Sequence, residues 1–282
     1  MGGVSEYLQN PFLQLLVDYF RTKGLASLKQ DDRDETWYQE WIDYQGKCGL
    51  YASVLSPKQY SRRGRHLSIL KLAQFLETFA FFSPAHAYSL HVSFLGLFPI
   101  LMSANEALKK EAVAKLEAGG LFAFAVSEKD HGSDLFANEF EVKSAGAAGW
   151  VANGAKYYIG NANAACIISI LGKRVASASG AWRERDEETV ERQDQSIFLP
   201  QAARSRNSRR APFVFFALRP AEAPAFQNVR KIRTLGIRSA FVGEFEVRGH
   251  PFPDTDVIAQ GRSAWDAIHS TVNFGKFFRL FR

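Results

Sequence analysis

At Gly119-Gly120 the spacing of apolar residues changes, and that change constrains the fold of this 282-residue chain more than any single motif does. Before it, apolar residues recur every three or four positions, the interval that gathers side chains on one face of a helix. After it they alternate, which places them on one face of a strand. In "PFLQLLVDYF", Phe12, Leu13, Leu16, Val17 and Phe20 share one helical face. The stretch "HLSILKLAQFLETFAFFS", residues 66–83, repeats the pattern with a wider apolar surface and reads as a helix buried on more than one side. A third helix is expected to open at Ser103, with Glu106 returning to complete a capping box, and to stop at the glycine pair.

Beyond the glycines, strands are expected at 121–126, 150–160, 165–173, 212–220 and 243–249, with Asn153-Gly154 read as a hairpin turn inside the second of them. From about Ser263 the helical interval returns. The fold class is therefore α+β. An all-α domain over 1–119 is followed by an antiparallel, β-barrel-like domain over 120–253, and 254–282 begin a further helical domain. Trp265, Ile268, Val272 and Phe274 on that last helix have no evident partners within the chain, so a third domain beyond Arg282 is expected to cover them.

Composition narrows the function classes. A hydrophobic content of 46% supplies a substantial core. The longest apolar run, residues 87–102, contains His91 and Pro99 and is shorter than the ~20 residues of a spanning helix, so no membrane span is expected. Two cysteines, Cys48 and Cys166, are too few for a disulfide framework, and the N-terminus has no basic start or apolar signal core; both point to the cytoplasm. The net charge of +6 invites a polyanion partner, but four of the arginines sit in "QAARSRNSRR", 201–210, just after the mixed run "ERDEETVERQDQ". Residues 174–211 read as a charged, solvated insertion between strands, and nucleic acid is not expected as a partner.

The first strand runs straight into "SEKDHGSD". Three readings compete there: a solvated turn, a metal or catalytic site, and a cradle for a cofactor. Asp130, His131 and Asp134 lack the separated, convergent spacing of zinc or calcium ligands, and "HGSDL" is not a nucleophile elbow, so neither metal nor catalytic residues are assigned. A flat cofactor ring needs an apolar or aromatic wall with a few aimed donors, and a pyrophosphate needs backbone N–H groups on a chain that comes close. Phe124, Tyr158 and Ile159 are candidates for the wall, Ser127 for a donor, and Gly132-Ser133 for the amides. Taken alone, Phe124, Val126 and Ile159 read as ordinary strand core, and His91 and His131 as structural histidines.

Two segments together carry a resemblance. Phe124-Ala125-Val126-Ser127-Glu128 through Gly132-Ser133-Asp134, followed by Asn153-Gly154-Ala155-Lys156-Tyr157-Tyr158-Ile159-Gly160-Asn161, is similar to the motif pair of the acyl-CoA dehydrogenases. The first of those motifs runs aromatic-x-V-(T/S)-E-x-x-x-G-S-D, the second N-G-x-K-x-(W/F)-I-(T/S)-N. The likeness extends over roughly 65–282, including "IRTLGIRSAFVGEFEV", outside the charged insertion; Arg238 in that stretch reads as a structural or subunit-contact charge. It implies FAD as cofactor, held by Phe124, Val126, Ser127, Gly132, Ser133, Tyr158, Ile159 and Gly160, with Ser133 also touching an acyl-CoA substrate. It further implies α,β-dehydrogenation of the thioester, transfer of electrons to an electron-transferring flavoprotein or another acceptor, and a homo-oligomer.

Two positions depart from the pattern. Gly160 stands where a Thr or Ser is usual, removing a hydroxyl expected at the reactive part of the ring, and Lys129 replaces a common Pro. The glutamate base of the family aligns beyond Arg282, so this chain is expected to hold no catalytic base, to bind FAD poorly and to be inactive by itself. Besides the dehydrogenase, an oxidase-like relative stays open. So does a non-enzymatic binder akin to DNA-associated alkylation-response relatives, using Arg204, Arg206, Arg209 and Arg210.

Overall fold

The computed structural model describes residues 10–61, 66–175 and 212–278. Among the described residues, seven helices precede the first strand: α1 Pro11–Lys23, α2 Leu25–Arg33, α3 Gln39–Cys48, α4 Leu50–Leu55, α5 Ile69–Phe82, α6 Pro84–Met102 and α7 Glu106–Glu117. Eight strands follow: β1 Leu121–Ala125, β2 Glu141–Ser144, β3 Trp150–Gly160, β4 Ala165–Val175, β5 Phe213–Leu218, β6 Phe226–Lys231, β7 Val242–Phe252 and β8 Val257–Gln260. Helix α8, Gly261–Phe278, closes the described chain. The change of period at Gly119-Gly120 is the boundary between the two kinds of element. The Arg-rich tract and most of the charged insertion lie outside the described residues, and β4 extends to Val175, two residues past its expected end.

Local chemistry sets the helix ends. Asn10 caps α1, its side chain accepting from the Phe12 amide at 3.0 Å, with Pro11 in the first turn. The expected cap of α7 is corrected: Asn105 accepts from the Leu108 amide at 3.0 Å, while Ser103 ends α6 and accepts from the Asn105 amide at 3.2 Å. Glu106 does not reach back. It pairs with Lys109 at 2.8 Å and accepts from the Tyr60 hydroxyl at 2.5 Å.

Helix α6 is the hub of the fold. It is apolar all round, so no single face satisfies it, and it packs against α5, α7, α8 and strands β1, β3 and β4. Its length and composition would suit a membrane span, yet 72% of it is buried here. Gly96 sets the closeness of its approach to the sheet, since a Cβ there would lie 2.5 Å from the Ala123 carbonyl oxygen.

The strands form one sheet in the order β6-β7-β3-β2-β4-β5-β8, with β1 and β2 taking successive halves of one edge of β4. Both of these pairings are parallel, whereas the other five are antiparallel, so the sheet is mixed. Strand β5 shows how two cores share it. Phe213, Phe215 and Ala217 face the helices, while Val214, Phe216 and Leu218 face a second core filled by Phe140, Ile159, Phe245 and Phe252. The sheet curls over this second core far enough for Phe216 to stack on Phe252 of β7 at 4.2 Å. Its outer strands β6 and β8 do not pair, which corrects the expected barrel: the sheet is open.

Two further expectations change. Asn153-Gly154 is not a hairpin turn, because β3 is continuous from Trp150 to Gly160. The pair forms a bulge against β7, where the Asn153 side chain accepts from the Gly249 amide at 2.7 Å, and Gly154 has φ 148° with its Cα face pressed on Phe140. Helix α8 does find partners inside the chain. Ala264, Ala267, Ile268 and Thr271 are buried, Trp265 stacks on Phe213 at 5.7 Å, and Phe274 stacks on Phe94 and Phe98 at 5.1 Å each; only Val272 of the four expected residues is exposed.

Candidate functional site

The two motif segments meet at the end of β1. The Tyr157 amide donates to the Ser127 carbonyl at 3.0 Å, and the Ser127 hydroxyl donates back to the Tyr157 carbonyl at 2.6 Å. Below this joint lies an ion pair that links the same two segments. Lys156 is 1% exposed and donates to Glu128 at 2.9 Å and to the Val126 carbonyl at 3.0 Å, its ammonium 5.1 Å above the centre of the Phe140 ring. Burial pulls Lys156 down to about 8, against the attraction of Glu128. The Glu128 carboxylate also accepts from the Glu139 and Phe140 amides at 2.7 and 3.0 Å. Glu128 thus fastens the start of the loop to its far end. The residues between, Lys129–Asp134, are turned outward, tightened by the Glu128 amide donating to the His131 carbonyl at 2.9 Å.

At the crest of that loop, Gly132 and Ser133 are exposed. A Cβ on Gly132 would meet nothing within 4 Å, so neither packing nor backbone conformation demands a glycine there. Among the described residues, no group accepts from the Gly132 or Ser133 amide. Open approach and available N–H groups are what an anionic ligand requires, and in this respect the loop fits a pyrophosphate.

A second bulge, between Lys156 and Ile159 opposite β7, re-aims the side chains that follow. Tyr158 adopts φ 59° and is 58% exposed, with its ring 4.6 Å from that of Tyr157. A bulky residue in the left-handed region costs about 1–3 kcal/mol and persists where something else over-determines it. Ile159 is buried in the second core, so its side chain does not reach the surface. Val126 is buried against the helices and Phe124 stands edge-on to Phe215 at 5.9 Å, both behind the site. Gly160 is crowded: a Cβ there would lie 2.7 Å from both the Tyr88 hydroxyl and a Val92 methyl.

Asn161, with φ 58°, turns the chain from β3 into β4. Its side-chain amide lies 3.0 Å from the Ser89 carbonyl, 3.2 Å from the Ser93 hydroxyl and 3.2 Å from the Phe122 carbonyl. The other candidates are structural in their contacts. Arg238 lies 3.5 Å from Asp32 of α2, His131 lies 3.7 Å from Glu139, and His91 is buried beside α8. The Glu128–Lys156 pair is the part of the site that residue-by-residue reading passes over. Alternation does not mark it, because the alternate neighbours of Lys156 on β3, Gly154 and Tyr158, are half-buried and exposed; the two bulges of β3 break the period there.

No protein-family model matches the sequence, and no curated protein matches it. Solved structures do match its fold. Butyryl-CoA dehydrogenase from Megasphaera elsdenii superposes with a TM-score of 0.75 at 19% identity, over 96% of this chain and 63% of that one. Glutaryl-CoA dehydrogenase from Mycobacterium smegmatis, solved with FADH2, gives 0.72 at 17% identity over 99% and 63%. The prolyl acyl carrier protein oxidase AnaB gives 0.66 at 17% identity over 95% and 64%. The chain has the acyl-CoA dehydrogenase-like fold, and it spans less than two thirds of the length of these structures.

Proposed function

We propose that this chain is the flavin-holding part of an acyl-CoA dehydrogenase-like oxidoreductase, with FAD as its cofactor. The observation that carries the reading is the joint itself. Two segments with the acyl-CoA dehydrogenase pattern are fastened by Ser127–Tyr157 and Glu128–Lys156, with an open Gly132-Ser133 crest on one and a strained, exposed Tyr158 on the other. The likeness to the M. smegmatis enzyme, solved with FADH2, supports the choice of cofactor.

Bound there, FAD would supply the acceptor for two electrons and a hydride in α,β-dehydrogenation of an acyl-CoA thioester. The Gly132 and Ser133 amides hold the pyrophosphate, with Ser133 also at the substrate. Tyr158 offers its ring as a wall, and Ser127, whose hydroxyl proton is committed to Tyr157, presents its oxygen as an acceptor. Phe124, Val126 and Ile159 act from behind by fixing the strands, and Gly160 contributes backbone only. No residue of this chain is assigned as the base that removes the α proton. An electron-transferring flavoprotein or another acceptor is the proposed redox partner, a homo-oligomer the proposed assembly and the cytoplasm the proposed location.

A second reading, an oxidase on the same scaffold, draws on the likeness to AnaB. Oxygen consumption with reduced flavin separates the two.

The deciding measurement is a titration of the 282-residue chain with FAD, followed by flavin fluorescence. Saturable binding is expected, and Gly132→Asp should abolish it while leaving the melting temperature unchanged, because it sets a carboxylate where the pyrophosphate approaches. A wild-type chain that leaves FAD fluorescence unaltered at every concentration sinks the reading.

A further inference from the structure

The geometry points to His131 as the phosphate anchor of the crest: a protonated imidazole, oriented by Glu139, that donates to the ligand's pyrophosphate beside the Gly132 and Ser133 amides, so that the chain takes up FAD more tightly as pH falls. This rests on the flavin reading above and adds a charge to amides that act through the backbone alone. The contact His131 makes looks structural, but it uses one ring nitrogen of two. Nε2 lies 3.7 Å from a Glu139 carboxylate oxygen. Nδ1, the nitrogen nearer the main chain, has no hydrogen-bond partner among the described residues, and the next group along the chain is the Gly132 amide. The ring is also placed in advance. Its side chain is 23% exposed, and the His131 carbonyl accepts from the Glu128 amide at 2.9 Å, which fixes the residue within the turn.

Positive charge is what this loop is short of. With the ring neutral, Lys129 stands against Asp130 and Asp134 on the loop and Glu139 at its far end, while the buried Glu128–Lys156 pair at the base compensates itself. Such a rim disfavours a pyrophosphate, and an imidazolium removes part of the mismatch. Histidine is the side chain whose charge changes near neutrality, and the bond made by one nitrogen orients the other. Once protonated, the ring has two N–H groups, one for Glu139 and one for a phosphate oxygen. A polyanion binds that form better than the neutral one. Binding therefore draws a proton from solvent, and by the same linkage affinity rises as pH falls.

The test uses the whole chain and two probes: FAD, whose pyrophosphate keeps its charge throughout, and riboflavin, which has the same ring and no phosphate. Dissociation constants are read by flavin fluorescence from about pH 5.5 to about pH 7.5, a range that spans histidine titration and ends below the value of about 8 to which Lys156 is depressed. Thermal melting checks folding. The wild type should bind FAD about 3- to 10-fold more tightly at the acid end, as one partly exposed, charge-assisted hydrogen bond implies, and riboflavin should show no such slope. His131→Gln should melt like the wild type, bind FAD as the wild type does at the upper pH, and lose the slope. His131→Lys, which keeps a cation, should lose the slope at the tighter end. A slope that survives in His131→Gln, or one that riboflavin shares, overturns the proposal and leaves the flavin reading intact. So does a wild-type affinity that is flat with pH. A wild-type chain that binds no FAD anywhere in the range overturns both.

Discussion

The two motif segments hold one glycine each that matters, and the two glycines are in opposite situations. Gly132 stands on an exposed crest with nothing within 4 Å of its missing side chain, whereas Gly160 is pressed by Tyr88 and Val92 at 2.7 Å. One glycine keeps space open for something outside the chain; the other makes room for the chain itself. The same contrast runs through their surroundings. The first segment is a loop whose ends are fastened by Glu128, and the second is a strand fixed along its length by β7, Lys156 and Asn161. A motif read as a string gives its glycines equal weight, but packing separates them.

The largest expected effect is at the link between the segments. Glu128→Ala leaves Lys156 buried without its carboxylate partner and the Glu139 amide without its acceptor, while the Phe140 amide keeps Asn138, and should lower stability in urea by about 3–5 kcal/mol. Replacing both partners, Glu128→Gln with Lys156→Met, should cost much less than Glu128→Ala alone. The pair also has a pH signature. Because Lys156 is depressed to about 8 in the folded chain and returns to its ordinary value near 10.5 on unfolding, the unfolded state binds more protons between those limits, so this group makes stability rise with pH from about 8 to 10.5. Urea midpoints measured across that window should rise more steeply in the wild type than in Lys156→Met.

Next in size, Gly160→Ser should destabilise by about 1–3 kcal/mol through overpacking against Tyr88 and Val92. A cost near zero would erase the contrast between the two glycines. Tyr158→Gly should act in the opposite direction and raise the unfolding free energy by about 1 kcal/mol, since it relieves a positive φ while giving up an exposed ring. The smallest effect belongs to the crest, where Gly132→Asp should change stability by less than about 0.5 kcal/mol. Thermal melting in the absence of FAD ranks all four.

Much of this architecture is legible in the sequence because burial imposes a period. The shift at Gly119-Gly120, the helices α1 and α5, and the strands β1, β4 and β5 all lie where apolar spacing places them. Strand β6, "FQNVRK", is invisible to that reading because it is an edge strand exposed along most of its length, so no alternation marks it. Strands β2 and β8 fail because four residues each are too few to display an alternation. The hairpin at Asn153-Gly154 misleads because both a turn and a bulge want a residue at positive φ, and only the partner strand decides between them. At the site, residue types and spacing point to the two segments, but the bond between Glu128 and Lys156, and the exchange of volume between Gly160 and Tyr88, depend on contacts across 28 and 72 positions of chain. Periodicity carries no information at that range.

The carboxamide of Asn161 draws together three parts of the chain that are far apart in sequence, Ser89 and Ser93 of α6, Phe122 of β1 and the turn after β3. It is wholly buried, so solvent can reach its protons only when helix, strand and turn separate at once. Its side-chain hydrogens are therefore a built-in gauge. In a hydrogen-exchange experiment they would be among the last to be replaced by deuterium, at a rate set by opening of the entire seam between helices and sheet rather than by local fraying.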